Sequence, residues 1–426
     1  MNIYGRNRGF ENVAIPLLTM SAFGPLLIPS LGIRADHIVL YGMLLIAFGF
    51  LCIGRRSMLS GASVIWVLSL FVFITIWTQV VTIGGVPAGV VYSNRTQMDE
   101  FSALENYLEI IIIIFVSAEM LRAVDYESLE KLFSRVAFII IAFMGLNALL
   151  SVGSIFFDTS AITSLFVRDA GGAANQIIEI TAEGGRKSGI FGFPATAGVA
   201  YSLALLLWTY TVRCQKRISF HSLLVGFLLI IGGTITISKT FMLGGLPLFF
   251  IYWLLPGRKN PRLTGSILFL LASGCALIYV LIENWVGASI IADLFTDDAN
   301  YSIASRFFHF VQIRYGISDD LEVTGIFPYL WEVSPVQGLG FAYWRVIDSA
   351  YLQYFMQGGA VSLFLYLLFI ATLAILGAIE WRNGNENGKL LTLFSVLLLL
   401  AGIGAPVLTS SRVNILFIVI IVILRL

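Results

Sequence analysis

The chain has 426 residues, of which 58% are hydrophobic and 12% are charged, whereas soluble domains carry about 25% charged residues. This composition excludes an ordinary soluble protein and indicates a single integral-membrane domain over residues 1–426, all-α and polytopic. The formal net charge of +1 gives no reason to expect a polyanionic partner, so we predict no nucleic-acid binding.

A helix needs about 20 apolar residues to cross the hydrocarbon core of a bilayer. Apolar runs of about this length recur along the chain, and we predict about twelve transmembrane helices. They fall at 12–33, 37–54, 63–83, 104–121, 132–157, 195–212, 219–237, 240–256, 264–285, 349–379, 390–408 and 413–426. Because only Ser238-Lys239-Thr240 separates the seventh run from the eighth, one long helix interrupted at Lys239 is the alternative. The first run is expected to be a retained helix and not a cleaved signal.

Basic residues indicate the orientation, because cytoplasmic loops are enriched in lysine and arginine. With the N- and C-termini cytoplasmic, sixteen of the 26 basic residues fall on the cytoplasmic side and ten fall on the other. The long loops, 84–103, 158–194 and 286–348, are then all outside. The cytoplasmic loops are too short to form a catalytic domain, so the sequence predicts that function resides at the outer face.

Familiar cofactor and metal motifs are absent from the sequence. It contains no Walker motif, no dinucleotide fingerprint and no zinc-binding spacing, so we expect no cofactor and no metal. The histidines are scattered, and the cysteines lie in or beside apolar runs, where they are interpreted as packing residues. These residues are His37, His221, His309, Cys52, Cys214 and Cys275.

The stretch from Gly338 to Gly359 carries Arg345 and Asp348 to the start of a hydrophobic helix. Ionisable groups at a membrane boundary are functional candidates. Asp348 is interpreted as a proton acceptor or as part of the N-cap of the helix that opens at Ala350, and both interpretations stay open. Tyr351 and its aromatic neighbours suit a glycan-binding groove or the aromatic belt of the interface.

Cations on the outer side, next to helix ends, form the second group of candidates. Arginine forks match phosphate oxygens, so we predict that these side chains bind a phosphate or pyrophosphate carried by a lipid at the outer leaflet. Each has a structural alternative, such as a headgroup contact, an interfacial helix or a turn anchor. The candidates are Arg186, Lys239, Arg306, Arg314, Arg345 and Arg412.

Three places in the chain resemble the O-antigen polymerase (Wzy-type) and O-antigen ligase superfamily of bacterial inner-membrane proteins. The segments with this similarity are Gly185–Phe191 with Pro194, Ser238-Lys239-Thr240, and Gly338-Leu339-Gly340 followed by Asp348–Leu352 and Gly358-Gly359. The last segment is similar to the end of that family's large periplasmic loop, which here is 286–348. The similarity covers about 190–359 in motif and the whole chain in architecture.

The resemblance implies a metal-independent glycosyltransferase of the C-type membrane fold. Its donor would be a polyprenyl-pyrophosphate-linked glycan and its acceptor another lipid-linked repeat unit. Its partners would be membrane lipids, a flippase and a chain-length regulator.

Asp348-Ser349, where ligases of the group carry His-Asn, favours a repeat-unit polymerase with Asp348 as the catalytic residue. Lys239 replaces the family's arginine, which keeps the charge and loses the fork. An O-antigen ligase and a lipid-linked oligosaccharide flippase or transporter are the alternatives. The polymer, whether O-antigen, capsule or exopolysaccharide, stays open.

Overall fold

A computed structural model describes residues 8–28, 33–52, 61–84, 97–122, 124, 126–167, 186–214, 219–255, 336–341, 349–409 and 411–425. This part of the chain is predominantly helical. Its helices are α1 (Arg8–Ser21), α2 (Ala35–Cys52), α3 (Ala62–Gly84), α4 (Gln97–Leu121), α5 (Tyr126–Phe156), α6 (Ser160–Thr163), α7 (Pro194–Cys214), α8 (Phe220–Ile235), α9 (Leu246–Leu254), α10 (Ala350–Arg382), α11 (Glu386–Gly404) and α12 (Ser411–Arg425). A π-helical turn, Phe241–Gly245, precedes α9, and Gly189–Phe191 and Val407–Thr409 are 3₁₀ turns.

Six of these helices, α3, α4, α5, α7, α10 and α11, are long and apolar enough to cross a membrane, and four shorter apolar helices accompany them. The chain is therefore an all-α polytopic membrane protein, as its composition predicts. The predicted run at 264–285 and most of the predicted loop at 286–348 lie outside the described residues.

Two helices form the interior of the bundle. Every residue of α12 from Arg412 to Leu424 is buried, and Arg425 at its end is half-buried. Most of α7 is buried as well. The surrounding helices keep large apolar side chains exposed on their outer faces, such as Ile83 at 76% and Phe138 at 70%. A helix that is apolar all round suits a bundle core or a lipid contact, and the exposed faces here suit contact with lipid.

The helices place two sets of loops at opposite ends of the bundle. We call the end where α12 begins the Arg412 end and the end where it finishes the Arg425 end. At the Arg425 end, Arg425 pairs with Glu380 of α10 at 2.7 Å, and Arg213 of α7 pairs with Glu386 of α11 at 3.5 Å. The described parts of the segments with the family similarity lie at the Arg412 end.

The first predicted span, 12–33, is wrong as a continuous helix. α1 ends at Ser21, and Leu26–Ile28 (β1) pairs antiparallel with Ile33–Arg34 (β2). Pro25 explains the break, because proline disfavours a helical conformation in the residue before it. Gly24 also lies so close to the start of α2 that a Cβ atom there would be 2.5 Å from the Ala35 Cβ.

The chain reverses between α8 and α9, which excludes one long interrupted helix. The Trp208 indole N–H of α7 donates to the Ser222 carbonyl near the start of α8 at 2.8 Å. The Arg213 guanidinium, at the end of α7, donates to the Tyr252 carbonyl near the end of α9 at 2.6 Å. Both contacts lie near the Arg425 end, so α8 and α9 form a hairpin whose turn lies at the Arg412 end.

Candidate functional site

The chain reaches α7 through the segment 186–193, which Asn147 of α5 holds in place. The Asn147 Oδ1 atom accepts from the Ile190 N–H group at 2.9 Å, and its Nδ2 group donates to the Tyr201 hydroxyl at 2.9 Å. Gly189 has a φ of +60°, and a Cβ atom there would lie 2.0 Å from Asn147 Oδ1. Glycine alone combines this conformation with this approach at little cost, so the glycine in the predicted motif has a structural reason.

Arg412 binds main-chain carbonyl groups from three other segments. Its guanidinium donates to the Ile190 carbonyl, to the Phe166 carbonyl at 2.8 Å and to the Gly24 carbonyl at 3.2 Å. The residue is only 7% exposed, and its Cζ atom lies 5.6 Å from the centre of the Phe166 ring. These charge-assisted bonds join the ends of several helices, which fits the turn-anchor interpretation of Arg412 better than pyrophosphate binding.

The turn between α8 and α9 brings Lys239 to the Arg412 end. Ile237 has a φ of +49°, which is rare and costly for a β-branched residue. The Lys187 N–H group donates to the Ile235 carbonyl at 3.2 Å, so the segment around Lys187 lies against this turn. Strained backbone of this kind persists only where the surrounding structure holds it, and it clusters at functional sites.

α10 is broken at Gly358–Gly359, and the segment Gly338–Phe341 fills the break. Gly359 has a φ of +63° and a ψ of −161°, and a Cβ atom there would lie 2.2 Å from the Val336 carbonyl oxygen. The Leu339 N–H group donates to the Met356 carbonyl and the Gly340 N–H group donates to the Gln357 carbonyl, both at 2.8 Å. The break therefore exposes helix carbonyls that the segment satisfies.

Aromatic side chains surround this break. The Tyr107 hydroxyl of α4 donates to Gln357 Oε1 at 2.7 Å, and its ring lies 5.0 Å from the Phe341 ring and 5.4 Å from the Tyr354 ring. Tyr354 stacks on Tyr366 with a centroid separation of 4.3 Å. All five of these side chains are buried, so they form a packed wall and not an open aromatic groove.

The start of α10 is fixed without a side-chain cap. Ser349 occupies the N-cap position and makes no capping bond; its hydroxyl donates to the Gly402 carbonyl of α11 at 3.0 Å. One turn on, the half-buried Tyr351 donates its hydroxyl to the Leu399 carbonyl. The cap position therefore belongs to Ser349, and Asp348 lies outside the described residues.

A polar cluster that the sequence interpretation missed joins α2 to α4 near the same end. The Arg34 Nε atom pairs with Asp36 at 2.9 Å, and the Arg34 Nη2 atom lies 2.7 Å from His37 Nε2. The same imidazole nitrogen lies 3.1 Å from Glu109 Oε1. Next to these residues, the Tyr41 hydroxyl donates to Glu105 Oε1 at 3.3 Å. The α2–α4 polar cluster comprises Arg34, Asp36, His37, Tyr41, Glu105 and Glu109.

Two members of the α2–α4 polar cluster are deeply buried, with Asp36 at 1% and Glu109 at 2% exposure. The Glu109 Oε2 atom is buried and has no hydrogen-bond partner among the described residues. Burial of a carboxylate oxygen is costly unless a cation or donor satisfies it. The sequence held one signal of this arrangement, because Glu105 and Glu109 stand four residues apart and so share a face of a predicted span. His37 carries no local signal of its proximity to them.

The predicted site residues divide into two groups. Arg186, Lys239, Tyr351 and Arg412 lie at the Arg412 end, with Arg186 exposed, Lys239 and Tyr351 half-buried and Arg412 buried. Arg306, Arg314, Arg345 and Asp348 lie outside the described residues. The Arg412 end, with its strained turn, its broken helix and its cations, is the candidate site.

Comparison with known proteins adds no assignment. No protein-family model matches the chain, and no curated protein matches it significantly.

Proposed function

We propose that the protein is a polysaccharide polymerase that joins polyprenyl-pyrophosphate-linked oligosaccharide repeat units at the periplasmic face of the bacterial inner membrane. In this proposal the chain has twelve spans with both termini cytoplasmic, so the Arg412 end faces the periplasm. The excess of basic residues in the short loops of the opposite end supports this orientation.

The observation that carries the proposal is the proximity of the three segments with the family similarity, which are far apart in the sequence. The main-chain bond from Lys187 to Ile235 joins the segment before α7 to the turn that precedes Lys239. Arg412 holds the carbonyl of Ile190. The third segment meets the same region through α10, because Thr409, just before α12, donates to Gln353 Oε1 at 2.8 Å.

The chemistry proposed for this end is a glycosyl transfer. An acceptor hydroxyl attacks the anomeric carbon of the donor glycan, a new glycosidic bond forms, and the bond to the pyrophosphate oxygen breaks. Polyprenyl pyrophosphate leaves with the negative charge that develops on it, and Asp348 takes the hydroxyl proton. The leaving group is stabilised by Arg186, Lys239, Arg306, Arg314 and Arg345. Their positive charges interact most strongly with the pyrophosphate in the transition state, where its negative charge develops, and so they accelerate the transfer.

Arg412 has a different role in this scheme. Because its donors face protein carbonyls, we assign it to holding the segment at Ile190 and not to binding the pyrophosphate. Tyr351, whose hydroxyl bonds the Leu399 carbonyl, offers its ring as a wall of the glycan path.

The test uses the purified full chain in lipid nanodiscs with a polyprenyl-pyrophosphate-linked repeat unit, extracted from source cells in which the gene is deleted. We expect a ladder of products spaced by one repeat and release of polyprenyl pyrophosphate, both without added nucleotide. Asp348→Asn should lower the rate by at least about a hundredfold, the lower range for loss of a general base. Arg345→Ala should lower it as well, whereas Arg382→Ala, an exposed cation at the Arg425 end, should not.

The same assay separates the alternatives. Movement of the lipid-linked unit across the bilayer without new glycosidic bonds would favour a flippase. Transfer of glycan to a lipid A–core acceptor, without a ladder of repeats, would favour a ligase. A full ladder from Asp348→Asn, at normal protein level, would refute the assignment of Asp348.

A further inference from the structure

We propose that the α2–α4 polar cluster binds a divalent metal ion, with Zn²⁺ as the best-fitting ion, through His37, Glu105 and Glu109. One potential ligand atom from each of these residues lies within 4.8 Å of the other two. The site is separate from the proposed glycosyl-transfer chemistry, and it would hold α2 against α4.

The ligand types favour zinc over magnesium. A metal set of one imidazole nitrogen and two carboxylate oxygens is a zinc-type set, because imidazole suits zinc and carboxylate oxygens alone suit magnesium or calcium. Zn–N and Zn–O distances are about 2.0–2.2 Å, so two atoms that bind the same ion are at most about 4.4 Å apart. The three ligand atoms lie within 4.8 Å of one another, so a small approach completes the site. Glu105 is exposed and can make that adjustment, because the bond from the Tyr41 hydroxyl to its Oε1 atom is long, at 3.3 Å.

The charge of the cluster calls for a cation. With a neutral imidazole, Arg34 contributes one positive charge, and Asp36, Glu105 and Glu109 contribute three negative charges. Glu105 and Glu109 stand four residues apart on α4, where like charges repel. Arg412 adds a second positive charge close to Arg34 and Asp36. With all three carboxyl groups ionised, three negative charges then face two positive charges, and the sum is one negative charge that a cation would offset.

The independent sign of a ligand is the orphaned oxygen of Glu109. Within the part of the chain that the structure describes, its Oε2 atom has no hydrogen-bond partner, and the residue is only 2% exposed. Its Oε1 atom faces His37 Nε2 at 3.1 Å, so the carboxylate is directed towards the imidazole. A metal ion between the two would satisfy a charge that is otherwise costly to bury.

Arg34 competes with the metal in this arrangement. Its Nη2 atom lies 2.7 Å from His37 Nε2, the nitrogen that also faces Glu109. Metal binding requires this end of the guanidinium to withdraw, while its Nε atom keeps the bond to Asp36. Replacing Arg34 should therefore increase the affinity for the metal. If the cluster were only a set of structural ion pairs, the same replacement would lower the stability of the protein and give no gain in metal affinity.

The test uses tag-free full-length protein in detergent, treated with chelator, loaded with Zn²⁺ and freed of excess metal. Elemental analysis should find one zinc per chain, and a competition titration should give its affinity. Glu109→Gln should remove the bound zinc. Glu105→Gln, at an exposed position, should weaken binding by at least about tenfold, because even loss of an outer partner of a zinc ligand costs about 10- to 100-fold. Arg34→Gln should bind more tightly than wild type.

Glu119→Gln is the matched control, because Glu119 is another carboxylate of α4, outside the cluster; it should bind zinc as wild type does. Zinc should also raise the unfolding temperature of wild type and of this control, and not that of Glu109→Gln. Wild type without zinc after loading would overturn the proposal, as would zinc binding of wild-type affinity by both Glu105→Gln and Glu109→Gln. These readouts do not involve glycan transfer, so they stand apart from the test of the polymerase.

Discussion

Replacing Arg412 by alanine tests whether this residue organises the Arg412 end. The change removes the donor of three carbonyl groups, those of Ile190, Phe166 and Gly24. Hydrogen bonds to a charged donor contribute about 1.5–3 kcal/mol each, so the lower bound for three is about 4–5 kcal/mol. Unfolding entropy is about 2.1 cal/mol/K per residue, so for 426 residues this loss lowers Tm by about 5 °C.

The assay is thermal unfolding of the purified full chain in one fixed detergent, followed by tryptophan fluorescence. Arg412→Lys should fall between wild type and Arg412→Ala, because one ammonium cannot replace the planar fork at three carbonyls. Arg382→Ala, an exposed cation of α10, is the control and should leave Tm within about 1 °C. An unchanged Tm for Arg412→Ala, with loss of polymer only, would refute the anchor role and favour a direct contact with substrate.

Two further predictions concern the packing of the same end. Gly189→Ala should lower Tm, because the added Cβ atom would lie 2.0 Å from Asn147 Oδ1 at a φ of +60°. Gly153→Ala should be neutral or stabilising, because no described atom lies within 4 Å of the added Cβ atom. Equal changes in Tm for the two variants would contradict the packing argument. Tyr107→Phe should lower the free energy of unfolding by about 1 kcal/mol through loss of a buried hydrogen bond. Tyr354→Phe should not, because none of the described residues bonds its hydroxyl. Denaturation of the two variants in parallel measures the difference, and a more stable Tyr107→Phe would count against it.

The helices were largely predictable from the sequence because burial in lipid imposes a simple rule on length and polarity. The apolar run 63–83 corresponds to α3, Ala62–Gly84, within a residue at each end. The rule failed at 12–33 because apolarity alone does not separate a helix from an apolar hairpin. The local signal was Gly24-Pro25, whose backbone cannot continue the helix of α1.

The site was less predictable because its contacts join distant parts of the chain. The sequence offered Arg412 as a cation beside a turn, but its three carbonyl partners depend on the packing of α1, α6 and α7. His37 and Glu109 are separated by 72 positions and meet only because α2 packs against α4. The strain at Ile237 also has no sequence signal, because isoleucine is among the residues least suited to positive φ.

The bonds of Arg412 also bear on the order in which the protein is made. Its carbonyl partners precede it by 222, 246 and 388 positions. During synthesis those carbonyls therefore wait, without this donor, until α12 has emerged and entered the membrane. A ribosome-bound chain stopped before Arg412 would carry every earlier described helix and still lack these three bonds. The Arg412 end therefore acquires these three bonds only when α12 is in place.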